Sequence, residues 1–357
     1  MSSARGFASD NQAGIHPLVL KAIARANEGH AASYGHDALT ERVEARFRAH
    51  FGEDAQAFAV FNGTGANVLA LRAACRPWQA AICTDTAHLN VDEGGAPEVI
   101  GAVKLLCVDG IDGKLTPELV LGAALAREGD EHQVQARVVS IAQSTELGTV
   151  YSPEEVVELA NTAHAHGLVL HVDGARLSNA AAALELPLRA LTTEVGVDIV
   201  SFGGTKNGLL GAEAVVFLTP ELAEGFLYLR KQSLQLASKM RFLAVQLDAL
   251  LTDELYLRLA AHANAMAARL AAAVGPLPGI TITRPVEANA VFALLPPGVV
   301  ERLQERFAFY VWDERSGEVR WMCSWDTTAE DVDAFAAAVA EVVAGAAAAS
   351  ARPVSAR

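Results

Sequence analysis

LVLHVDGARLSNA, residues 168–180, decides the fold. Its first part, LVLHV (168–172), is a short apolar run without alternation, the pattern of a strand buried on both faces. Asp173 stands at the carboxyl end of that strand, the edge at which open α/β sheets bind ligands. The same kind of run recurs outward from here: QAFAVF (56–61), AAICT (80–84), AVKLLCV (102–108), RVVSIA (137–142), DIVSF (198–202) and AEAVVFL (212–218). Helical patterns separate most of them. NVLALRAAC (67–75) follows the first, and SPEEVVELANTAHAHG (152–167) opens with Ser152 as N-cap and Pro153 in the first turn and closes at Gly167. Strands alternating with helices predict crossovers and an α/β fold around a mostly parallel seven-stranded sheet.

After residue 220 the pattern changes. Residues 221–273 read as almost wholly helical. GITITRP, NAVFALL, a helix near 297–307, AFYVWDE and VRWMCSW then predict a small C-terminal α+β domain, and Thr328 with Asp331 predicts a capping box for a last helix. The expected organisation is a large domain over 1–255 with an N-terminal arm (1–35), a small domain over 256–343 and a disordered tail (344–357). No internal repeat is present.

The 42 acidic against 28 basic residues give a net charge of −14, which argues against nucleic-acid or anionic-membrane partners. Cys75, Cys83, Cys107 and Cys323 show no CxxC and no disulfide-dense spacing, as expected of free, mostly buried thiols in a reducing compartment. No signal peptide and no membrane-length apolar run is visible, so a cytoplasmic location is expected.

Five stretches carry candidate chemistry. FNGTGAN (61–67) runs from a strand into a helix. Gly63, Thr64 and the helix N-terminus form either a phosphate site or an ordinary turn. Asp85 nearby also permits a dinucleotide reading, although Val68 replaces the third glycine of that motif. In HVDGARLSNA (171–180), Asp173 can face a cationic ring nitrogen or cap a helix, and Arg176 can hold an anion. In DIVSFGGTKNG (198–208), Lys206 follows a buried strand and a glycine pair. It is either a desolvated amine nucleophile or a loop lysine reaching solvent. In AHLNVDEGGA (87–96), His88 can stack on a flat ring, act as acid or base, or simply pack. The run LRKQSLQLASKMRF (229–242) is either an anion site or a solvated face. His164, His166 and His171 straddle a helix end and a strand, and no metal site is expected there.

Together with SDNQ (9–12), YGHDALT (34–40), QSTELGTVY (143–151) and EVRWMC (318–323), the first four of these stretches resemble the threonine aldolase family of pyridoxal 5'-phosphate (PLP) enzymes, in the beta-eliminating lyase group and the aspartate-aminotransferase fold (fold type I). The landmarks fall in the family's order from about Phe7 to Ala340. The resemblance implies that Lys206 binds PLP as a Schiff base, Asp173 partners the pyridinium nitrogen, and Gly63 and Thr64 cradle the phosphate. It implies that His88 stacks on the ring and senses the substrate hydroxyl, while Ser9, Arg176 and Arg320 hold the substrate carboxylate. It further implies that Arg241 and Lys231 reach a neighbouring subunit's cofactor, in a homodimer or homotetramer. Many members carry a histidine in the stretch that here reads QSTELG, so the base is His88, a water or Glu146. The basic segment between Lys231 and Arg241 is also longer than usual. The implied activity is cleavage of L-threonine, L-allo-threonine or other β-hydroxy-α-amino acids to glycine and an aldehyde. The rivals are β-elimination, racemisation or transamination on the same fold, an NAD-dependent oxidoreductase, and a non-catalytic binding protein.

Overall fold

The computed structural model describes residues 5–350, with side chains to 346. The chain divides into two compact units. One spans Gly14–Glu146 and Val150–Arg258; the other comprises the residues through Ala13, Leu147–Thr149 and those from Leu259 on.

The first unit is built on a seven-stranded sheet. Its strands are β1 (Gln56–Val60), β2 (Gln79–Thr84), β3 (Lys104–Val108), β4 (Gln135–Ala142), β5 (Val169–Gly174), β6 (Ile199–Phe202) and β7 (Glu213–Phe217), in the spatial order β1-β7-β6-β5-β4-β2-β3. The five strands from β6 to β3 run parallel, and β7 is antiparallel to both of its neighbours. All seven apolar runs are therefore strands, within two residues of the expected ends. β5, β6 and β7 are buried along their whole length, which is why their sequences do not alternate.

Helices cover the sheet. Asn62 caps the helix Gly63–Ala74, its side chain accepting the Gly65 N–H at 2.7 Å. That helix buries Val68, Leu69, Ala70 and Leu71, three of which join a core with Val60, Val138, Ile199, Val215 and Phe217. The helix Pro153–Ala165 begins with the full capping box of Ser152 and Glu155. Burial holds His171 down at about 4, and the neutral ring bridges Ser140 and Ser201 at 2.9 Å on either side, tying β4, β5 and β6 together. Among the described residues, no group of three or more His, Cys, Asp and Glu could hold a metal ion, and no helix is long and apolar enough to cross a membrane.

The second unit carries the expected small sheet, which is antiparallel throughout. β8 (Thr281–Ile282), β9 (Ala290–Leu294), β10 (Tyr310–Asp313) and β11 (Glu318–Met322) lie in the order β10-β11-β9-β8. The last helix, Ala329–Ser350, starts at the Thr328–Asp331 box: Asp331 N–H donates to Thr328 Oγ1 and Thr328 N–H to Asp331 Oδ2.

Three expectations are corrected. Residues 5–13 belong to the second unit rather than to an arm of the large domain. The fully buried Phe7 stacks on Phe335 at 4.5 Å, and its backbone bonds Ala308 and Met322. The helical stretch after 220 is interrupted between Phe226–Gln232 and Arg241–Leu251, where Leu234 adopts a positive φ of 64°. The terminal helix also continues to Ser350, past the point where the tail was expected to lose structure; residues 351–357 lie outside the described residues.

Candidate active site

The carboxyl ends of the parallel strands build the site. Register sets Ala142 of β4 and Ser201 of β6 beside Asp173 of β5. The Asp173 carboxylate is nearly buried and doubly held. Its Oδ1 accepts the Ala175 N–H at 3.0 Å and its Oδ2 accepts Asn67 Nδ2 at 2.8 Å. It is therefore an ordered acceptor at the ligand edge, and Arg176 rather than Asp173 is the N-cap residue of the helix Leu177–Leu184.

Lys206 reaches the same place through the glycine pair. The Gly203 N–H donates to the Gly174 carbonyl, so the chain leaving β6 runs against the end of β5. A Cβ at Gly203 would stand 2.6 Å from Ala175 Cα and oxygen, and only glycine permits that approach. The turn Thr205–Asn207 that carries Lys206 is pinned on three sides. Glu213 accepts the Gly204 and Thr205 amides, Asn207 Nδ2 donates to the Tyr256 carbonyl, and Gln246 Oε1 accepts the Leu210 and Gly211 amides. Burial raises the Glu213 carboxyl.

His88 starts the short helix that follows β2. Its Nδ1 meets Glu93 Oε1 at 2.9 Å, and the same oxygen accepts Asn67 Nδ2 at 2.8 Å. A continuous polar chain thus runs His88–Glu93–Asn67–Asp173. The Glu93 side chain is wholly enclosed, and its contact raises the imidazole pKa against the lowering effect of burial. Glu146 Oε1 accepts the His88 N–H at 2.9 Å, while its Oε2 is shielded from solvent and has no hydrogen-bond partner. Enclosure pushes this carboxyl up to about 7.

Lys206, Asp173, Asn67, His88, Glu93 and Glu146 line one small cavity together with Gly63, Ser144 and Arg176. Thr64 follows Gly63 in the first turn of its helix, where the leading N–H groups have no partner within the helix. The residues fit PLP. An amine, a fixed carboxylate, an imidazole and a helix N-terminus share the cavity, and a Cβ at Gly63 would meet nothing within 4 Å. Ser144 Oγ and one oxygen each of Glu93 and Glu146 are buried without partners, as expected of a wall built for a polar guest.

A model of the beta-eliminating lyase family matches residues 6–296. The chain belongs to this family. Among its relatives, the low specificity L-threonine aldolase of Pseudomonas aeruginosa is 47% identical over 328 residues, covering 91% of this chain and 94% of that protein. The low specificity L-threonine aldolase of a second Pseudomonas strain is 45% identical over 339 residues, covering 94% and 97%. A solved threonine aldolase structure from Leishmania major superposes with a TM-score of 0.90 at 30% identity, covering 95% of this chain and 99% of that one.

Within this lyase fold the remaining expected residues are absent from the lining of that cavity. Ser9 and Arg320 are in the second unit. There Ser9 Oγ caps the turn Asp10–Gln12, and Arg320 donates to the adjoining Ala8 carbonyl at 3.4 Å and covers Trp312 at 4.4 Å. Lys231 sits over the Tyr34 ring at 5.0 Å. Arg241 donates to the Gly29 carbonyl and lines a separate cavity with Arg25, Arg42 and Asp248. Neither Lys231 nor Arg241 lines the lysine cavity of its own chain. Asn67, Glu93, Ser144, Glu213 and Gln246 carried no expectation. Asn67 and Glu93 lie inside the NGTGAN and AHLNVDEGGA stretches, and an acid five residues after His88 was the one available signal.

Proposed function

We propose that this lyase is a PLP-dependent, low-specificity L-threonine aldolase, cleaving L-threonine, L-allo-threonine and other β-hydroxy-α-amino acids to glycine and an aldehyde. The convergence of Lys206, Asp173 and His88 on one cavity carries this reading, and the two Pseudomonas relatives support the substrate class. When bound, PLP supplies an electron sink for the pair released as a bond at the substrate Cα breaks. Lys206 holds the cofactor through its amine. Asp173, kept in place by Ala175 and Asn67, accepts the ring N–H in a charge-assisted bond. Gly63 and Thr64 offer backbone amides to the phosphate.

Arg176 orients the substrate carboxylate with its planar fork, and the family resemblance assigns Ser9 and Arg320 to the same group. Glu93 fixes the His88 ring by its Nδ1, which leaves Nε2 as the free edge for the substrate hydroxyl. Glu146 takes the hydroxyl proton at Oε2, its only unoccupied oxygen. A base near pH 7 is matched to that transfer.

The oligomer is a homodimer or a homotetramer built from dimers. Arg241 and Lys231 serve a neighbouring subunit's cofactor, and the highly exposed Tyr228 and Leu234 beside Lys231 supply apolar surface for that partner.

Product analysis tests the reaction. Purified protein with PLP and the four threonine stereoisomers is expected to give glycine and acetaldehyde from the L isomers. 2-Oxobutanoate with ammonia, from β-elimination of water, or the keto acid that keeps the hydroxyl, from transamination, would instead place the chain among the other reactions of the fold.

A further inference from the structure

We propose that Cys83 and Cys107 are a peroxide-sensitive dithiol that closes to a reversible disulfide at the edge of the large sheet. The two residues are direct register partners on the parallel strands β2 and β3, and their Sγ atoms lie 3.9 Å apart. Adjacent strands set Cα atoms roughly 4.8 Å apart, inside the range of roughly 4.4–6.8 Å that disulfides span. Bringing the sulfurs to the bonded distance of about 2.05 Å therefore requires side-chain rotation rather than movement of the sheet.

Their surroundings divide the labour. β3 is the edge strand, so Cys107 is exposed to solvent, whereas Cys83 is fully buried beneath it. The Cys83 thiol donates toward Cys107 and stabilises its thiolate, drawing the Cys107 pKa down to about 7 with help from Lys104. The same hydrogen bond together with burial raises Cys83, which stays a thiol. The chain carries its own controls: burial pushes both Cys75 and Cys323 up to about 12.

The chemistry needs one hydroperoxide as oxidant. The Cys107 thiolate attacks a peroxide oxygen, the O–O bond breaks, and the departing oxygen leaves as water or alcohol after taking a proton. Cys107 is then a sulfenic acid. Cys83 sulfur attacks the Cys107 sulfur, the S–O bond breaks, and water leaves with the Cys83 proton. Two thiols lose two electrons and one peroxide gains them. A dithiol reductant restores the pair.

The test is peptide mapping of the intact holoprotein after a hydrogen peroxide pulse, alkylation under denaturing conditions and non-reducing digestion. The expected result is a linked pair of peptides containing Cys83 and Cys107, a free-thiol titre that falls from four to two, recovery with dithiothreitol, and alkylated Cys75 and Cys323. In Cys83→Ser, Cys107 should be captured by dimedone as the sulfenic acid, and in Cys107→Ser, Cys83 should stay reduced. Irreversible oxidation of Cys107 in the unmutated protein without the linked peptides would overturn the proposal. Equal dimedone capture with and without Cys83 would overturn it as well.

Discussion

Glu146 is the residue whose chemistry a pH profile reads most directly. Its carboxyl has one oxygen on the His88 amide and one with no partner, and enclosure raises it to about 7. As a base it must be ionised to work, so kcat should rise with pH through a limb near 7. Glu146→Gln removes the acceptor and should lower kcat by roughly 10²-fold or more, the usual scale of general acid–base catalysis, and erase that limb. A Glu146→Gln enzyme with the parent pH profile would exclude the carboxyl from proton transfer.

The same group ties pH to stability. Its folded pKa lies above the ordinary 4.5, so between about 4.5 and 7 the folded state binds more protons than the unfolded one. This contribution to stability is present at low pH and is lost as pH rises through 7. A carboxyl raised that far contributes up to about 3 kcal/mol. Glu146→Gln, which stays neutral, should therefore stabilise the protein at pH 8 relative to the parent and give little gain at pH 5, as read by urea unfolding at the two values.

At the scale of elements, the site depends on how β5, β6 and the lysine turn meet. Gly203→Ala places a Cβ 2.6 Å from the backbone of Ala175, between Asp173 and Lys206 in the fold. The strain should cost about 1–3 kcal/mol, typical of overpacking, and should weaken PLP binding. Thermal unfolding and a cofactor titration check the two effects. Ser152→Ala, which breaks a capping box remote from the cavity, should cost about 1 kcal/mol and leave PLP affinity unchanged. These elements differed in how openly the sequence declared them. Strands buried on both faces write continuous apolar runs, so β5, β6 and β7 were legible. The antiparallel direction of β7 follows from residues 203–212, a connection too short for the dozen or more residues of a parallel crossover. The clamps on the lysine turn were illegible: Glu213 and Gln246 are ordinary residues on a strand and a helix until the fold brings their oxygens to the amides of Gly204 and Leu210. Asn67 and Glu93 likewise become meaningful only once both reach toward Asp173 and His88. The unit boundary near Ala13 was hidden because it is set by Phe7 packing on Phe335, a contact across more than three hundred positions.

At the scale of the whole molecule, the sequence motifs marked Lys206, Asp173, His88, Gly63 and Arg176, and the fold gathers those five around one cavity. Lys231 and Arg241 stand apart from it, which the proposed oligomer explains by assigning them to a neighbour. Mixing subunits tests that assignment. Lys206→Ala and Arg241→Ala homo-oligomers should each be impaired, and co-refolding them should restore part of the activity by forming sites with neither lesion. No recovery on mixing would place Arg241 outside the neighbour's site.

The most direct measurement is borohydride reduction of the PLP-reconstituted protein followed by peptide mapping. One pyridoxyl group per chain is expected, on Lys206, with much weaker PLP retention in Asp173→Ala. A label on another lysine, or no label with the parent fold intact, would contradict the assignment of Lys206.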